Sequence, residues 1–304
     1  MTGLADRMPS GRATRPEGIN APLLRRAARQ EGIGFALLSL PGVIVVVLVL
    51  VLPMAWLFWM SAFDNAGNLS LENYERMLRP IYQRTFTTTF RIAFVVSIAC
   101  GVLAYPIAYL MAQSGPRLSM LLMLCVMLPF WTSVLVRTYA WLVLLQRTGL
   151  INAALMDLGL ISEPLALVHN ELGTIIGMVH VMLPFMILPL YASMKAIDPA
   201  LLLAAANCGA TPAQGFRQVY LPQTFSGLAS GISLVFVMCL GFFVTPVLLG
   251  GGRVSMWAQQ ISDNISLYGN WGAASSLGVV LVLCTAFVLG GMRMALAQIE
   301  KRGR

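Results

Sequence analysis

The sequence DPALLLAAANCGATPAQGFRQVYLP, residues 198–222, separates two long apolar runs of the chain. Asp198 followed by Pro199 is typical of a helix that begins with a side-chain cap and a proline in its first turn. Gly209 predicts the end of this helix, because glycine adopts the left-handed backbone found at helix C-termini without steric cost. We call residues 198–222 the 198–222 loop, and we expect its first half to be a short helix.

The second half of the 198–222 loop has its own helix-start signal. Thr211 and Gln214 have the spacing of a capping box, in which the threonine hydroxyl and the glutamine side chain each accept a hydrogen bond from the other residue's backbone amide. Leu221-Pro222 is expected to close this second helix where the next apolar run begins, because a proline disfavours helical backbone at the residue before it. The loop is therefore predicted to be two short helices joined by a tight turn.

The composition is that of an integral membrane protein. Of the 304 residues, 58% are hydrophobic and 11% are charged, whereas soluble domains carry about 25% charged residues. The formal charge of +8 does not predict nucleic-acid binding, since no soluble domain is available to carry a basic face. The five cysteines lie in apolar runs or in the 198–222 loop without CxxC spacing, so the sequence indicates neither a disulfide nor a metal site.

Long apolar runs divide the chain into membrane-spanning segments. The first run covers about 40 Å as a helix, which exceeds the roughly 30 Å of a bilayer core. The six runs are 33–60, 90–112, 118–145, 172–194, 225–249 and 273–297. They predict an all-α polytopic protein with six transmembrane helices in contact with lipid. Around the first transmembrane helix, 33–60, we expect a basic tail at 1–32, a core at 86–297 and a C-terminal tail at 298–304.

The lysines and arginines set the predicted orientation. Placing the basic tail in the cytoplasm puts 13 of the 20 lysines and arginines inside and five in the outer loops, as the positive-inside rule requires. Both termini and the 198–222 loop are then expected on the cytoplasmic side. Seven of the twelve acidic residues, including Asp64 and Asp263, fall in the outer loops.

The sequence offers no catalytic constellation. A P-loop requires Gly-Lys followed by Ser or Thr, and the two lysines, Lys195 and Lys301, follow Met and Glu instead. His169 and His180 have no carboxylate between them at metal-ligand spacing. We interpret His180 as a hydrogen-bonded packing residue, with a ligand role as the alternative. We therefore expect no enzyme activity, metal or cofactor in this chain.

A proline interrupts the third apolar run. Pro129 lies about 16 Å from Leu118 by helical rise, near the middle of a bilayer, and helix interruptions at that depth point to a transport site. Trp131, Thr132 and Ser133 follow the proline, and we interpret them as part of a substrate pathway. The alternatives are packing for the tryptophan and hydrogen bonds to helix carbonyls for the two hydroxyl residues.

The third run also carries a positive charge. Arg137 lies about 28 Å from the start of the run by helical rise, which is near its outer end. One interpretation is a side chain that snorkels to the outer interface or pairs with an outer acid such as Asp263. The other places Arg137 in the substrate pathway, as a carboxylate-binding group of an opine-like or amino-acid-like transporter.

The fifth run repeats the combination of a helix break with aromatic residues. Gly241 and Pro246 flank the break, and the segment between them is expected to face the third run. Earlier in the same run, Gly227 and Gly231 have the spacing of a close helix-contact face. The further aromatic residues of the predicted pathway, from both runs, are Tyr139, Trp141, Phe242 and Phe243.

The 198–222 loop resembles the EAA signature in the membrane subunits of type I ABC importers. Ala204-Ala205, Gly209 and Leu221-Pro222 match the spacing of that signature. The resemblance implies that the loop docks into a cleft of a separate ATPase subunit. Leu203 stands where the family has an acidic residue, so docking at this position is expected to rest on shape and apolar contact rather than on an ion pair.

Three further segments resemble the spermidine/putrescine permeases of the PotB type and related opine-type permeases. They are LPFWTSVLVRTYAWLVLL, LPFMILPLYASM and GFFVTPVLLGG. The resemblance implies a type I ABC importer permease fold in a bacterial inner membrane. It also implies a partner permease that completes a heterodimer, a dimer of ATPase subunits that binds ATP and magnesium, and an extracytoplasmic solute-binding protein.

The substrate that the resemblance implies is a polyamine, with an opine, an amino acid or another small solute as the alternative. A self-contained secondary carrier or channel is a rival class, and a membrane enzyme is a third. Carriers coupled to ions normally place ionisable groups inside the membrane, and no Asp, Glu or Lys lies within a predicted span. The sequence therefore favours a permease subunit that is driven by a separate ATPase.

Overall fold

The structure is a computed structural model that describes residues 38–63 and 67–302. Several sequence predictions lie outside the described residues: the basic tail 1–32, the start of the first run at 33–37, the outer acid Asp64 and the last two residues of the C-terminal tail.

Within the described residues the regular structure is helical, apart from one isolated bridge between Phe63 and Leu69. The helices in chain order are α1 (Leu38–Met60), α2 (Glu72–Glu75), α3 (Pro80–Gln113), α4 (Pro116–Met127), α5 (Val134–Leu145), α6 (Leu150–Asp157), α7 (Glu171–Lys195), α8 (Pro199–Asn207), α9 (Pro212–Leu240), α10 (Val244–Gly250), α11 (Trp257–Ser266) and α12 (Trp271–Arg302). Five of these helices, α1, α3, α7, α9 and α12, contain segments long and apolar enough to cross a membrane.

Helix α1 is apolar on every side. Its 23 residues extend about 35 Å at 1.5 Å per residue, which is sufficient for a bilayer core. The side chains from Leu38 to Trp59 are exposed, and a helix that is hydrophobic all round is typical of a membrane span. A π-helical segment, Val47–Val51, lies directly before its Leu52-Pro53 pair.

Helices α3, α7 and α9 pack against one another and hold the hydrophobic core. Cys100, Met186 and Val235, one from each helix, are fully buried. A Cβ at Gly227 of α9 would lie 2.4 Å from the Ser193 Cβ of α7, so this contact requires glycine. Gly231 approaches α7 in the same way, and the predicted glycine contact face is confirmed.

The third run is a broken helix rather than a straight one. Helix α4 continues through a 3₁₀ turn at Leu128–Trp131, and Thr132 and Ser133 then adopt extended backbone before α5 begins. The two halves are bent by 97°. Pro129 lacks an amide hydrogen and clashes with the preceding turn, so the hydrogen-bond ladder ends here. The estimate that placed Arg137 about 28 Å along a straight helix is therefore wrong.

Counting the bent pair as one span gives six apolar spans in the described residues. The predicted all-α membrane fold with six transmembrane helices is confirmed. Its spans are α1, α3, the bent segment from α4 through α6, α7, α9 and α12. The 198–222 loop connects the fourth span, α7, to the fifth, α9.

The predicted helix end at Leu221-Pro222 is wrong. Helix α9 runs from Pro212 through this pair to Leu240 as a continuous helix of 29 residues. Residues Phe216–Tyr220 form a π-helical turn, in which the Leu221 amide donates to the Phe216 carbonyl. The wider turn accommodates a proline that has no amide to donate and whose ring would crowd a normal helical turn. The same arrangement precedes Pro53 in α1.

Candidate functional site

The first half of the 198–222 loop is the capped helix that the sequence predicts. The Asp198 side chain accepts a hydrogen bond of 2.9 Å from the amide of Ala200 at the start of α8. At the other end, Gly209 has a φ of +85°. This left-handed residue lets the amide of Ala210 donate back to the Ala205 carbonyl at 3.0 Å. Both ends of α8 are therefore fixed by local hydrogen bonds.

The second half begins with the predicted capping box. The Thr211 amide donates to the Gln214 side chain at 2.8 Å, and the Gln214 amide donates to the Thr211 hydroxyl at 3.4 Å. Helix α9 starts here. Because α9 is continuous, the 198–222 loop is attached to the fifth span without a flexible joint.

Aromatic side chains attach the loop to α3. The Phe216 and Tyr220 rings stack with centroids 5.7 Å apart, and the Tyr109 ring of α3 meets both edge-on at 5.7 and 5.4 Å. Leu202 of α8 and these rings line a cavity of about 340 Å³. This cluster was not predicted from the sequence, although the i, i+4 spacing of Phe216 and Tyr220 places both rings on one helix face.

The outward face of α8 is apolar. Leu203 is 67% exposed and Leu201 is 44% exposed, and Ala204 is also exposed beside them. Ala205 is half-buried, while Leu221 and Pro222, the last two residues of the loop, lie inside α9. Of the residues predicted to dock the ATPase, Leu203 and Ala204 are therefore exposed on α8. Gly209, Leu221 and Pro222 instead determine the backbone of the loop.

We expect Leu203→Glu to change the affinity of the loop for an ATPase subunit. An apolar groove would have to desolvate the new carboxylate, which lowers affinity by about 1–3 kcal/mol. A groove that keeps a basic residue would instead gain affinity. Co-purification of an ATPase subunit with this chain measures the change, and Asn207→Glu, at another exposed position of α8, is the matched control. Unchanged recovery with Leu203→Glu would show that this position does not face the ATPase.

Around the break in the third span, the predicted pathway residues differ in exposure. Trp131 is 88% exposed and Tyr139 is 55% exposed. The Thr132 hydroxyl donates to the Pro129 carbonyl at 2.7 Å, which is the alternative that the sequence left open for this residue. Ser133 is exposed and makes no side-chain cap at the start of α5. The break thus presents a tryptophan, a tyrosine and a serine on its open side.

Arg137 is buried rather than extended to an interface. It is 8% exposed, and its guanidinium donates to the Thr132 carbonyl at 3.0 Å. Its Nε has no hydrogen-bond partner in the described part of the chain. Snorkelling is therefore wrong, and so is pairing with Asp263, since the ion pair found among the described residues joins Arg91 to Glu171. Pairing with the outer acid Asp64 lies outside the described residues.

Helices α7 and α10 surround the buried side of α5. The Trp141 indole donates to His180 Nδ1 at 2.9 Å, so His180 is a hydrogen-bonded packing residue. Thr138 and Thr245 exchange a hydroxyl hydrogen bond at 3.1 Å across to α10. The fifth run therefore contacts the third run, as expected. The contact is made after the break in the fifth run, by Thr245.

The aromatic pair that precedes α10 lies at the end of the fifth span. Phe243 is 41% exposed and Phe242 is half-buried. The structure thus brings Trp141 and Arg137 together with α7 and α10, and it leaves Trp131, Tyr139 and Phe243 open. The open residues offer aromatic faces to a ligand or to another chain, and within the described residues we find no cluster of three or more His, Cys, Asp and Glu side chains that could hold a metal.

This architecture defines a class of protein, a polytopic membrane protein with a capped two-helix loop between its fourth and fifth spans. The chain belongs to the family of binding-protein-dependent transport system inner membrane components, which matches residues 104–299. The match includes the broken span, the 198–222 loop and the fifth span. It identifies the chain as a multi-pass component of an inner membrane.

Two curated relatives have related sequences. The spermidine/putrescine transport system permease protein PotB of Haemophilus influenzae is 36% identical over 217 residues, which cover 71% of this chain and 76% of the relative. The PotB protein of Escherichia coli K12 is 33% identical over 216 residues, which cover 70% of this chain and 78% of the relative. Both alignments cover most of the relative's length.

Solved structures agree with the fold. A chain from a bacterial ABC transporter involved in the import of the acidic polysaccharide alginate superposes with a TM-score of 0.68 at 18% identity, covering 89% of this chain and 98% of that chain. A chain of the MetNI methionine ABC transporter gives a TM-score of 0.54 at 17% identity, covering 71% of this chain and 94% of that chain. The fold is that of type I ABC importer permeases.

Proposed function

We propose that this chain is the membrane-spanning permease subunit of an ATP-driven importer whose substrate is a polyamine. The observation that carries the proposal is the 36% and 33% identity to spermidine/putrescine permeases over 71% and 70% of this chain. An opine, an amino acid or another small solute is the alternative substrate class.

In this proposal both termini and the 198–222 loop face the cytoplasm, where the loop docks into a cleft of an ATPase subunit. Two copies of the ATPase bind ATP and magnesium, a second permease completes the pore, and an extracytoplasmic binding protein delivers the substrate. ATP closes the ATPase dimer, and the loop carries this movement into the spans, which switch between outward-open and inward-open arrangements. The exposed apolar face of α8 and the continuity of α9 support this mechanism.

The proposed pathway attracts a cation through aromatic faces rather than through carboxylates of this chain. Trp131, Tyr139 and Phe243 are exposed near the two helix breaks. A cation over an aromatic ring gains about 0.5–2 kcal/mol, which suits a passage site that binds its ligand weakly. Acids of the partner subunit and of the outer loops supply the remaining attraction.

We expect the complete transporter, reconstituted in vesicles, to take up labelled spermidine or putrescine when ATP is supplied to the ATPase. Trp131→Ala should reduce this uptake about fivefold, because one cation–π contact of roughly 1 kcal/mol is lost. Trp271→Ala is the matched control, since Trp271 is also an exposed tryptophan, at 51%, but lies at the start of the sixth span.

Polyamine uptake by the parent transporter supports the proposed substrate. Uptake of an opine or amino acid without uptake of a polyamine would overturn the substrate and leave the permease assignment standing. Equal uptake by the Trp131 and Trp271 variants would remove Trp131 from the pathway.

A further inference from the structure

The guanidinium of Arg137 lies within the broken span without a counter-charge. The residue is 92% buried, since 8% of its surface is exposed. Its single hydrogen bond among the described residues goes to the Thr132 carbonyl, and its buried Nε has no partner. A cation removed from water is strongly destabilising unless a negative group approaches it.

The described residues supply no such group. The ionisable neighbour of Arg137 is His180, whose Nδ1 accepts from the Trp141 indole, and an imidazole that accepts a hydrogen bond there is not a source of negative charge. The acids of the described chain with resolved side chains lie in loops and at helix ends, and Glu171 pairs with Arg91 instead. No described residue therefore supplies the counter-charge, and a group from another molecule can do so.

The surface around Arg137 indicates where that molecule lies. Ala140 stands three residues after the arginine on α5, and Ser133 stands directly before α5, where its carbonyl accepts from the Arg137 amide at 3.1 Å; both residues are exposed. Both are small, which leaves room for a side chain to reach the guanidinium. The adjoining face carries Val136 and Tyr139, which are 65% and 55% exposed.

We propose that a carboxylate of the second permease subunit, an Asp or Glu within one of its spans, contacts this surface and pairs with Arg137. The inference rests on the proposed function for the existence of that subunit, and it adds the chemistry of the contact. An apolar surface around one buried cation is complementary to an apolar helix that carries one acid. A fixed carboxylate stabilises the arginine at every stage of transport, whereas a substrate carboxylate would leave it unpaired between cycles.

The test is co-purification of the second permease with the tagged chain from membranes that express the complete transporter. We expect Arg137→Glu to lower recovery of the second permease about tenfold or more, because two like charges would meet. Arg137→Gln should lower recovery less, and Arg137→Lys should retain most of it. The same changes at Arg91, whose side chain is 61% exposed in its ion pair, should leave recovery close to that of the parent.

A charge exchange then identifies the partner residue. Each Asp and Glu in the spans of the second permease is changed to Arg together with Arg137→Glu, and one of these pairs should restore recovery. Full recovery with Arg137→Glu alone, rescue by none of the pairs, or a second permease without an acid in its spans would overturn the inference. Normal assembly of Arg137→Gln with loss of uptake of a carboxylate solute would assign the carboxylate to the substrate and also overturn it.

A second measurement covers the case in which the charge variants fail to fold. Ser133→Cys and Ala140→Cys keep Arg137, and each is paired with a cysteine placed one helical turn from each acid in the partner's spans. We expect at least one pair to form a cross-link that neither single variant gives, and absence of every such cross-link would overturn the inference. Rescue or cross-linking in a transporter that imports no polyamine would overturn the proposed substrate and leave this contact intact.

Discussion

A valine at position 209 is expected to abolish most transport while leaving the ATPase able to bind nucleotide. Gly209 has a φ of +85° at the turn between α8 and α9. A β-branched residue in this conformation costs about 1–3 kcal/mol, which corresponds to a roughly 5- to 150-fold shift between conformations. No atom lies within 4 Å of a Cβ built at this position. The effect therefore comes from the backbone alone, which would abandon the left-handed turn and change the direction of α8.

The measurement is the amount of substrate imported per ATP hydrolysed in reconstituted vesicles. Gly115→Val is the matched control, because Gly115 also has free space around its Cβ but has an extended backbone with a φ of −62°. Gly209→Asn should be milder than Gly209→Val, since asparagine tolerates the left-handed region better than most residues. Normal transport with Gly209→Val would show that the turn does not position the docking helix.

A leucine at position 227 is expected to prevent α7 and α9 from packing at their present distance. A Cβ at Gly227 would lie 2.4 Å from Ser193 Cβ and 3.0 Å from the Pro189 carbonyl oxygen. Neither contact is the end of a flexible side chain, so the helices themselves must separate. Overpacking of this kind costs about 1–3 kcal/mol and occasionally more. Because this pair belongs to the central three-helix core, we expect a large loss of folded protein.

The temperature at which half of the detergent-solubilised protein is lost by aggregation should fall by roughly 5–10 °C. Gly278→Leu is the control, since Gly278 lies inside α12 with no atom within 4 Å of a Cβ built there. Equal stability of the Gly227 and Gly278 variants would contradict the close approach of α7 and α9. A milder Gly227→Ala variant should fall between the parent and the leucine.

Local signals in the sequence were sufficient to predict both ends of α8 and the start of α9. Asp198, Gly209 and the Thr211–Gln214 pair each form hydrogen bonds or backbone conformations with residues at most five positions away. The chemistry of a cap is therefore complete within a short segment. The lengths of the apolar runs were likewise sufficient to predict the membrane spans, because the thickness of the bilayer sets the length of a spanning helix.

Features that depend on distant parts of the chain were not predictable in this way. The proline at 129 ends its helical segment whereas the proline at 222 is absorbed by a π turn, and both follow a leucine in an apolar segment. Aromatic packing of Phe216 and Tyr220 against α3 accompanies the π turn and is a tertiary contact. Similarly, the burial of Arg137 follows from the 97° bend and from the positions of α7 and α10. A distance calculated from the rise of one straight helix cannot predict it.

The continuity of α9 has a mechanical consequence. Gly227, where this helix touches α7 most closely, lies near the middle of its 29 residues. Helical rise gives about 22 Å from Gly227 to Pro212 and about 20 Å from Gly227 to Leu240. Such a helix acts as a lever whose fulcrum is the glycine contact, with arms of nearly equal length. A tilt of about 10° moves the two ends by roughly 3–4 Å in opposite directions, so a pull on the loop displaces the far end of the span by a similar distance without amplification.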